Sequence, residues 1–127
     1  MPGPYDWYQR GLELLSSGDN HAAATLLERA AAAEQGKSSI HEALARAYFG
    51  SRRFDEALEQ FGVVLEISPA NDYAHFGAGL CLSRLGRLLE AVGHLKMANV
   101  MHPDNGDYER ELARCEARLA AKREAEA

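Results

Sequence analysis

The stretch FDEALEQFGVVLEISP, from Phe54 to Pro69, has the pattern of an amphipathic helix with one unusual position. Its large apolar residues recur every three or four positions, which is the period of one helix face. Ala57 stands among them, although its neighbours on that face are all larger. A small residue in the middle of an apolar face indicates that a second backbone passes close to it. Pro69 then prevents the helix from continuing.

The same arrangement recurs at a fixed spacing of 34 residues. In the downstream stretch LLEAVGHLKMANVMHP, Ala91 stands in the position of Ala57, and in the upstream stretch NHAAATLLERAAAAEQ, Ala23 stands there. We call residues that are 34 apart equivalent. Self-similarity at such a period is typical of stacked helical or strand units, none of which can bury its apolar face alone.

A partner segment with helical period precedes each of these stretches. The partners are Tyr5–Ser17, Ser38–Ser51 and Asp72–Gly86. The predicted N-caps are Asp19, Ser38 or Ser39, Asn71 or Asp72, and Asp104 or Asn105. The predicted left-handed ends of the first helices are Gly18, Gly50 and Gly86. The pattern therefore predicts six helices in three antiparallel pairs, followed by a seventh helix that closes the chain.

Small residues mark the predicted crossing of the two helices in each pair. On the first helices they are Gly11, Ala45 and Gly79, and on the second helices Ala23, Ala57 and Ala91. We expect the two sets to face each other, because a larger side chain would push the helix axes apart. Large residues one turn away would fill the flanks: Leu14, Tyr48 and Leu82 with Leu27, Phe61 and Leu95.

On these residues the chain resembles the tetratricopeptide repeat family, whose unit is a helix–turn–helix of 34 residues. The matching units are 4–37, 38–71 and 72–105, with a capping helix at 106–127. The first unit departs from the family pattern at Gln35, in place of proline, and at Asn20, in place of an aromatic residue. The resemblance implies a single all-α domain over 1–127, a right-handed superhelix of about seven helices. The first helices would line a concave face that holds a segment of another protein.

Composition excludes several other classes of protein. The formal net charge of −5 argues against a nucleic-acid backbone as the main partner. No apolar run approaches the roughly 20 residues needed to span a bilayer. The opening residues MPGPYDWYQR lack a basic start followed by an apolar stretch, so we expect no secretory signal and a cytoplasmic location.

The sequence offers no catalytic, metal-binding or cofactor-binding motif. His41 and His75 are equivalent and belong to neighbouring units, so they are not expected to converge on a metal. Cys81 and Cys115 are also equivalent, and neighbouring helices would hold them about 8–10 Å apart. That distance exceeds the roughly 7 Å limit for a disulfide, so we expect two buried free thiols. The family that the chain resembles is mostly not enzymatic.

The resemblance also allows a prediction about one well-known type of partner, the heat-shock chaperones. Family members that dock on chaperones clamp a terminal carboxylate with lysine, asparagine and arginine at five positions. Here those positions hold Tyr8, Leu12, Ala43, Tyr73 and Gly77. None of them carries the required charge or amide, so docking on the acidic tails of heat-shock chaperones is not expected.

An apolar, aromatic strip stands on the predicted concave face instead. Its predicted residues are Tyr8, Leu12, Glu42, Arg46, Phe49, Tyr73, Phe76 and Leu80. Exposed apolar patches usually mark an interaction surface. The alternative is that Phe49, Phe76 and Leu80 pack into neighbouring helices.

A basic stripe follows on the last helix, with Arg84 of the third unit beside it. Its residues are Arg110, Arg114, Arg118 and Lys122. The stripe would suit an acidic partner, or it is a solvated face that Glu111 compensates. The sequence therefore favours a scaffold or adaptor that binds a protein segment in its groove. The alternative is a homo-oligomeric building block that uses the same groove for self-association, so the chain would be a monomer or a homodimer.

Overall fold

The computed structural model describes residues 1–127 as seven α-helices without a strand. The helices are α1 Pro4–Ser16, α2 Asn20–Ala33, α3 Ser38–Gly50, α4 Phe54–Ile67, α5 Asp72–Arg84, α6 Leu88–Met101 and α7 Gly106–Glu126. The all-α class and the three helix pairs with a seventh helix are thus confirmed. None of the seven helices combines the length and the apolar character that a membrane crossing requires.

The helices form two compact units, Met1–Pro69 with α1 to α4 and Ala70–Ala127 with α5 to α7. In the first unit, α1 packs on α2, α2 on α3 and α3 on α4, and α1 also contacts α3. In the second unit, α5 packs on α6, α6 on α7, and α5 also contacts α7. Equivalent helices are therefore neighbours within each unit, which places α1 beside α3 and α5 beside α7.

Side-chain caps begin three of the helices as predicted. Asp19 and Asn71 each accept a hydrogen bond from a backbone N–H of the first turn, at 3.3 and 2.9 Å. Asn105 accepts two such bonds, at 3.0 and 3.3 Å. The predicted cap at Ser38 or Ser39 is wrong. The cap position belongs to Lys37, whose carbonyl already accepts the first helical hydrogen bonds of α3, so both serines lie inside the helix.

The turns within the helix pairs differ from the prediction at one glycine. Gly18 and Gly86 are left-handed as expected, with φ of 82° and 79°. The left-handed residue of the middle pair is Arg52, with φ of 61°, and Arg52 is equivalent to both glycines. Gly50 is instead the last residue of α3, and a Cβ there would collide with the side-chain amide of Asn20. Packing, and not turn geometry, explains that glycine.

The crossings of the helix pairs are tight, but their partners differ in part from the prediction. A Cβ on Gly11 would lie 2.7 Å from Cγ of Leu27. On Gly79 it would lie 2.7 Å from Cγ of Leu95 and 3.3 Å from the carbonyl oxygen of Ala91. Both glycines thus make room for a large leucine, and Gly79 also faces the backbone of the small residue Ala91, as the sequence predicted. The alanines of the second helices, Ala23, Ala57 and Ala91, are fully buried.

Candidate peptide-binding surface

In the first unit, the predicted residues lie on the neighbouring helices α1 and α3. Tyr8 and Leu12 are half-buried and stand one turn apart on α1, and Arg46, the equivalent of Leu12, is exposed on α3. Tyr8 also lines a cavity of about 210 Å³, together with Tyr5, Lys37 and four other residues. This cavity offers aromatic walls, the cation of Lys37 and the carboxylate of Glu34 to a bound side chain.

Phe49 of α3 makes a packing contact. Its ring meets the ring of Phe54 edge-to-face, with centroids 5.2 Å apart, and the side chain is half-buried. Such aromatic pairs add roughly 0.5–1.5 kcal/mol beyond the area that they bury. For this residue the contact fits the alternative of packing into a neighbouring helix, and its place in the groove stays a prediction.

In the second unit, an apolar strip runs along α5. Tyr73 is exposed over 37% of its surface, while Phe76 and Leu80 are half-buried on the following turns. The ring of Phe76 lies against that of Tyr108 on α7, with centroids 4.6 Å apart. The Tyr108 hydroxyl in turn donates a 2.7 Å hydrogen bond to Oδ2 of Asp72. Phe76 is therefore held in place by a ring that is itself anchored on α5. As for Phe49, this contact fits the alternative of packing into a neighbouring helix, and the place of Phe76 in the groove stays a prediction.

The phenol of Tyr108 keeps its proton in this arrangement. Burial raises the pKa of Tyr108, and the hydrogen bond and negative charge of Asp72 raise it further. The hydroxyl is thus a permanent donor to Asp72. The hydrogen bond between Tyr108 and Asp72 thus links α7 to α5 next to the ring of Phe76.

The arginines of α7 continue the strip of α5, because they stand at equivalent positions. Arg110 and Arg114 are equivalent to Phe76 and Leu80, and Arg118 is equivalent to Arg84. Since α5 and α7 are neighbours, the second unit presents apolar groups on one helix and guanidinium groups on the next. This juxtaposition could take a segment with both apolar and acidic side chains.

Local carboxylates accompany two of these arginines. Arg110 pairs with Asp107, and Arg114 pairs with Glu111 at 3.1 Å. Arg118 donates to the hydroxyl of Ser83 at 2.6 Å and, at 3.4 Å, to its backbone carbonyl. Exposed ion pairs contribute only about 0–1 kcal/mol, so the carboxylates of a partner can compete for these guanidinium groups.

The five positions of the family's carboxylate clamp are occupied differently here. Ala43 and Gly77 are buried and present no polar group, while Tyr8, Leu12 and Tyr73 are apolar or aromatic. No cation stands at any of the five positions. The arginine stripe of the second unit lies on α7 instead, which is a different location for binding an anion.

Sequence reasoning missed the partners of the two equivalent histidines. Nδ1 of His41 lies 2.8 Å from Oε1 of Gln60, and Nδ1 of His75 lies 3.1 Å from Nδ1 of His94. Gln60 and His94 each follow their partner histidine by 19 residues. This shared spacing was the signal in the sequence that could have predicted both contacts. The His75 and His94 ring centroids are 5.3 Å apart and the two ring planes are inclined by 34°.

This histidine pair is not part of a larger ligand cluster. The structure contains no group of three or more histidine, cysteine or acidic side chains that could hold a metal ion. Burial lowers the pKa of His94, and the neighbouring His75 lowers it further. Cys81 and Cys115 are free and buried, as the sequence predicted.

Comparison with known proteins identifies the repeats. The tetratricopeptide repeat family model matches residues 8–72 and again residues 42–106. Cell division cycle protein 27 homolog A of Arabidopsis thaliana is 33% identical over 67 residues, which is 53% of this chain. The match spans 9% of that relative's length.

Solved structures show the same fold. The first tetratricopeptide repeat domain of Spaghetti (RPAP3), bound to the HSP90 peptide SRMEEVD, superimposes with a TM-score of 0.87 at 19% identity, covering 92% of this chain and 93% of that one. The second such domain of human RPAP3, in complex with the HSP70 peptide SGPTIEEVD, gives a TM-score of 0.82 at 21% identity, covering 90% and 98%. At these identities the likeness establishes an α-solenoid of the same type.

Proposed function

The chain belongs to the tetratricopeptide repeat family, and from that premise we propose that it is a non-enzymatic scaffold or adaptor that binds a segment of a partner protein. The single observation that carries this proposal is the surface of the second unit. There, Tyr73, Phe76 and Leu80 on α5 lie beside the arginines of α7. Together, the two faces suit the binding of a protein segment without any chemical change to that segment.

The surface divides the recognition into two chemical parts. Aromatic anchors supply most of the binding energy in protein interfaces, and Tyr73 and Phe76 are the aromatic groups available on α5. The guanidinium groups of Arg110, Arg114 and Arg118 can form charge-assisted hydrogen bonds with carboxylates. The partner segment therefore has an aromatic or aliphatic anchor with acidic residues close to it.

Two structural neighbours support an acidic segment. Both were solved with peptides that end in the acidic sequence EEVD. Because the clamp positions of this chain carry no cation, its carboxylate contacts come from α7 and do not require a terminal carboxylate. In the first unit, Tyr8, Leu12 and Arg46 offer an analogous but less basic surface.

The test begins with a displayed peptide library selected on the immobilised protein. Selected peptides are then titrated by fluorescence anisotropy against wild type, Tyr73→Ala and Arg114→Glu at low and high salt. Tyr73→Ala should weaken binding similarly at both salt concentrations, because apolar burial is not screened. Arg114→Glu should weaken binding mainly at low salt, because exposed charges are screened within about 8 Å at physiological ionic strength.

Arg10→Glu provides the matched control for the charge change. Arg10 is also exposed and paired with a glutamate three residues away, at 2.9 Å, but it lies on α1 in the other unit. Its reversal should leave the affinity unchanged. If Tyr73→Ala binds like wild type while folded, the α5 strip is not the binding surface. A dimer that hides this surface would instead favour self-association through the groove.

A further inference from the structure

The outer face of α6 is apolar and exposed. Leu89, Met97 and Val100 expose 65%, 46% and 76% of their surfaces. Gly93 stands between them, and a Cβ on it would meet no atom within 4 Å. These residues follow one another at i, i+4, i+8 and i+11, so they share one face of the helix. We call them the α6 face.

The equivalent positions in the other two pairs show that the fold does not require this composition. In α4 they hold Asp55, Glu59, Val63 and Glu66, and in α2 they hold His21, Thr25, Arg29 and Ala32. The α4 set is acidic and the α2 set is mostly polar, although both helices occupy the same place in their helix pairs. Exposed apolar groups that appear in one repeat only mark an interaction surface.

The α6 face is symmetric about Gly93. Leu89 and Met97 each stand four residues from this glycine, one on each side. Glu90 and Lys96 each stand three residues from it and carry opposite charges. A second α6 that crosses antiparallel at Gly93 would therefore bring Leu89 of one copy to the level of Met97 of the other. It would also bring Glu90 to the level of Lys96. Glu90 is paired with Arg87 at 2.8 Å, but such an exposed pair contributes only about 0–1 kcal/mol, so Lys96 of a second copy can compete for the carboxylate.

We propose that two copies of this chain associate through their α6 faces, antiparallel and with Gly93 at the two-fold axis. A two-fold interface requires one patch to be complementary to itself, and the α6 face meets that condition in both apolar groups and charge. Gly93 permits a close approach of the two backbones. The acidic face of α4 would repel its own copy, so the same pairing is not available to α4.

The surroundings of α6 fit this association. A cavity of about 310 Å³, lined by Glu90, Gly93, Met97 and the two histidines His75 and His94, gives room for side chains of the second copy. A single helix crossing buries less than the roughly 1,200 Å² of a standard interface, so the dimer is weak and depends on concentration. Leu89 also lines a cavity with Lys122 and Arg123 near the end of α7. Arg110, Arg114 and Arg118 and the strip of α5 are not part of the α6 face, so the dimer can still bind a peptide.

Sedimentation equilibrium over about a hundredfold range of protein concentration tests the proposal. Wild type should pass from monomer to dimer. Leu89→Glu with Met97→Glu should stay monomeric, and so should Leu89→Lys with Met97→Lys, because each places like charges across the axis. An equimolar mixture of the two variants should recover the dimer. A wild type that stays monomeric throughout, or a mixture that stays monomeric, overturns the proposal.

One double substitution on α4 controls for general charge effects. Glu59→Lys with Val63→Lys changes positions equivalent to Gly93 and Met97, and it should leave the wild-type dimerisation intact. Loss of the dimer in this variant would contradict the assignment to α6. The monomeric α6 variants should bind selected peptides as wild type does, which separates this proposal from the proposed function.

A cysteine at the axis tests whether the two helices cross at Gly93. Gly93→Cys should form a disulfide-linked dimer under mild oxidation, because two residues at the crossing can come within the roughly 7 Å that a disulfide requires. Glu59→Cys, at the equivalent position of α4, should remain monomeric on a non-reducing gel. The native cysteines are buried and should not react. Equal cross-linking of the two variants would overturn the crossing at Gly93.

Discussion

The helix pairs α3–α4 and α5–α6 occupy the same 34-residue frame, yet the outer faces of their second helices differ in polarity and charge. Their buried positions agree: Phe61 and Leu95 are both large and apolar, and Ala57 and Ala91 are both fully buried alanines. Their outer faces do not agree, because α4 is acidic where α6 is apolar. The comparison teaches that packing restricts the buried positions of a repeat, whereas the solvent-facing positions are free to acquire a function.

The largest effect on stability should come from truncating a large buried side chain beside a helix crossing. Phe61→Ala should lower the free energy of unfolding by about 3–5 kcal/mol and Leu95→Ala by about 2–5 kcal/mol, because each leaves a cavity in a closely packed site. Urea unfolding followed by circular dichroism measures both. Leu89→Ala on the exposed face of α6 is the control and should cost little. If Phe61→Ala were as mild as that control, the two pairs would not share a packed flank.

The next largest effect on stability should come from placing a larger side chain at the helix crossing itself. Ala57→Leu should destabilise the protein by about 1–3 kcal/mol although it adds apolar surface, because Ala57 is fully buried and a larger side chain would overpack the core there. Ala32→Leu, at an exposed position of α2, is the control and should be close to neutral. The thermal midpoint is a sufficient measurement. An unchanged midpoint for Ala57→Leu would mean that no backbone passes close to this alanine.

Two glycines of the second unit should respond with opposite signs to the same substitution. Gly79→Ala should destabilise, because its Cβ would lie 2.7 Å from Leu95 and close to the backbone of Ala91. Gly93→Ala should stabilise by about 0.8–1 kcal/mol through helix propensity, because open space surrounds it. Unfolding at low protein concentration measures both effects on the monomer. Equal signs would show that Gly79 does not face a close neighbour.

The smallest effect should be a pH dependence that only the α5–α6 pair displays. Because the folded pKa of His94 lies below its ordinary value of about 6.5, the unfolded chain binds more protons at this residue just below pH 6.5. Stability should therefore fall as the pH drops below about 6.5. The nearby Glu90 opposes the pKa shift only in part. His94→Gln copies the residue type of Gln60 in the neighbouring pair and should flatten this pH dependence. Identical pH profiles for both proteins would contradict it.

Periodicity was sufficient to predict the helix pairs, because a 34-residue repeat restricts both helix length and buried positions. The caps at Asp19, Asn71 and Asn105 were predictable from local chemistry. The cap before α3 was not, because Ser38 and Ser39 were both plausible and the turn at Gly36, with φ of 83°, starts the helix one residue earlier. Arg52 was missed because a left-handed residue other than glycine is uncommon.

The candidate site was less predictable, because side-chain partners depend on the packing between helices. The sequence named Phe76, but it did not show that Tyr108 and Asp72 hold the ring in place. It named the arginine stripe, but it could not decide which carboxylates accompany each arginine. That the predicted groove residues bind a partner, and that the three repeats act as a single domain, stay predictions.

The two buried cysteines provide a way to measure how often the helices of the second unit separate. Cys81 on α5 and Cys115 on α7 both lie in the second unit, and the first unit contains no cysteine. Burial raises the pKa of Cys81 to about 12, so almost no reactive thiolate exists at neutral pH while the helices are closed. A thiol reagent can then modify these residues only when α5 or α7 separates from its neighbours. The rate of native-state labelling would thus record the opening of one half of the chain, without any probe having to be introduced.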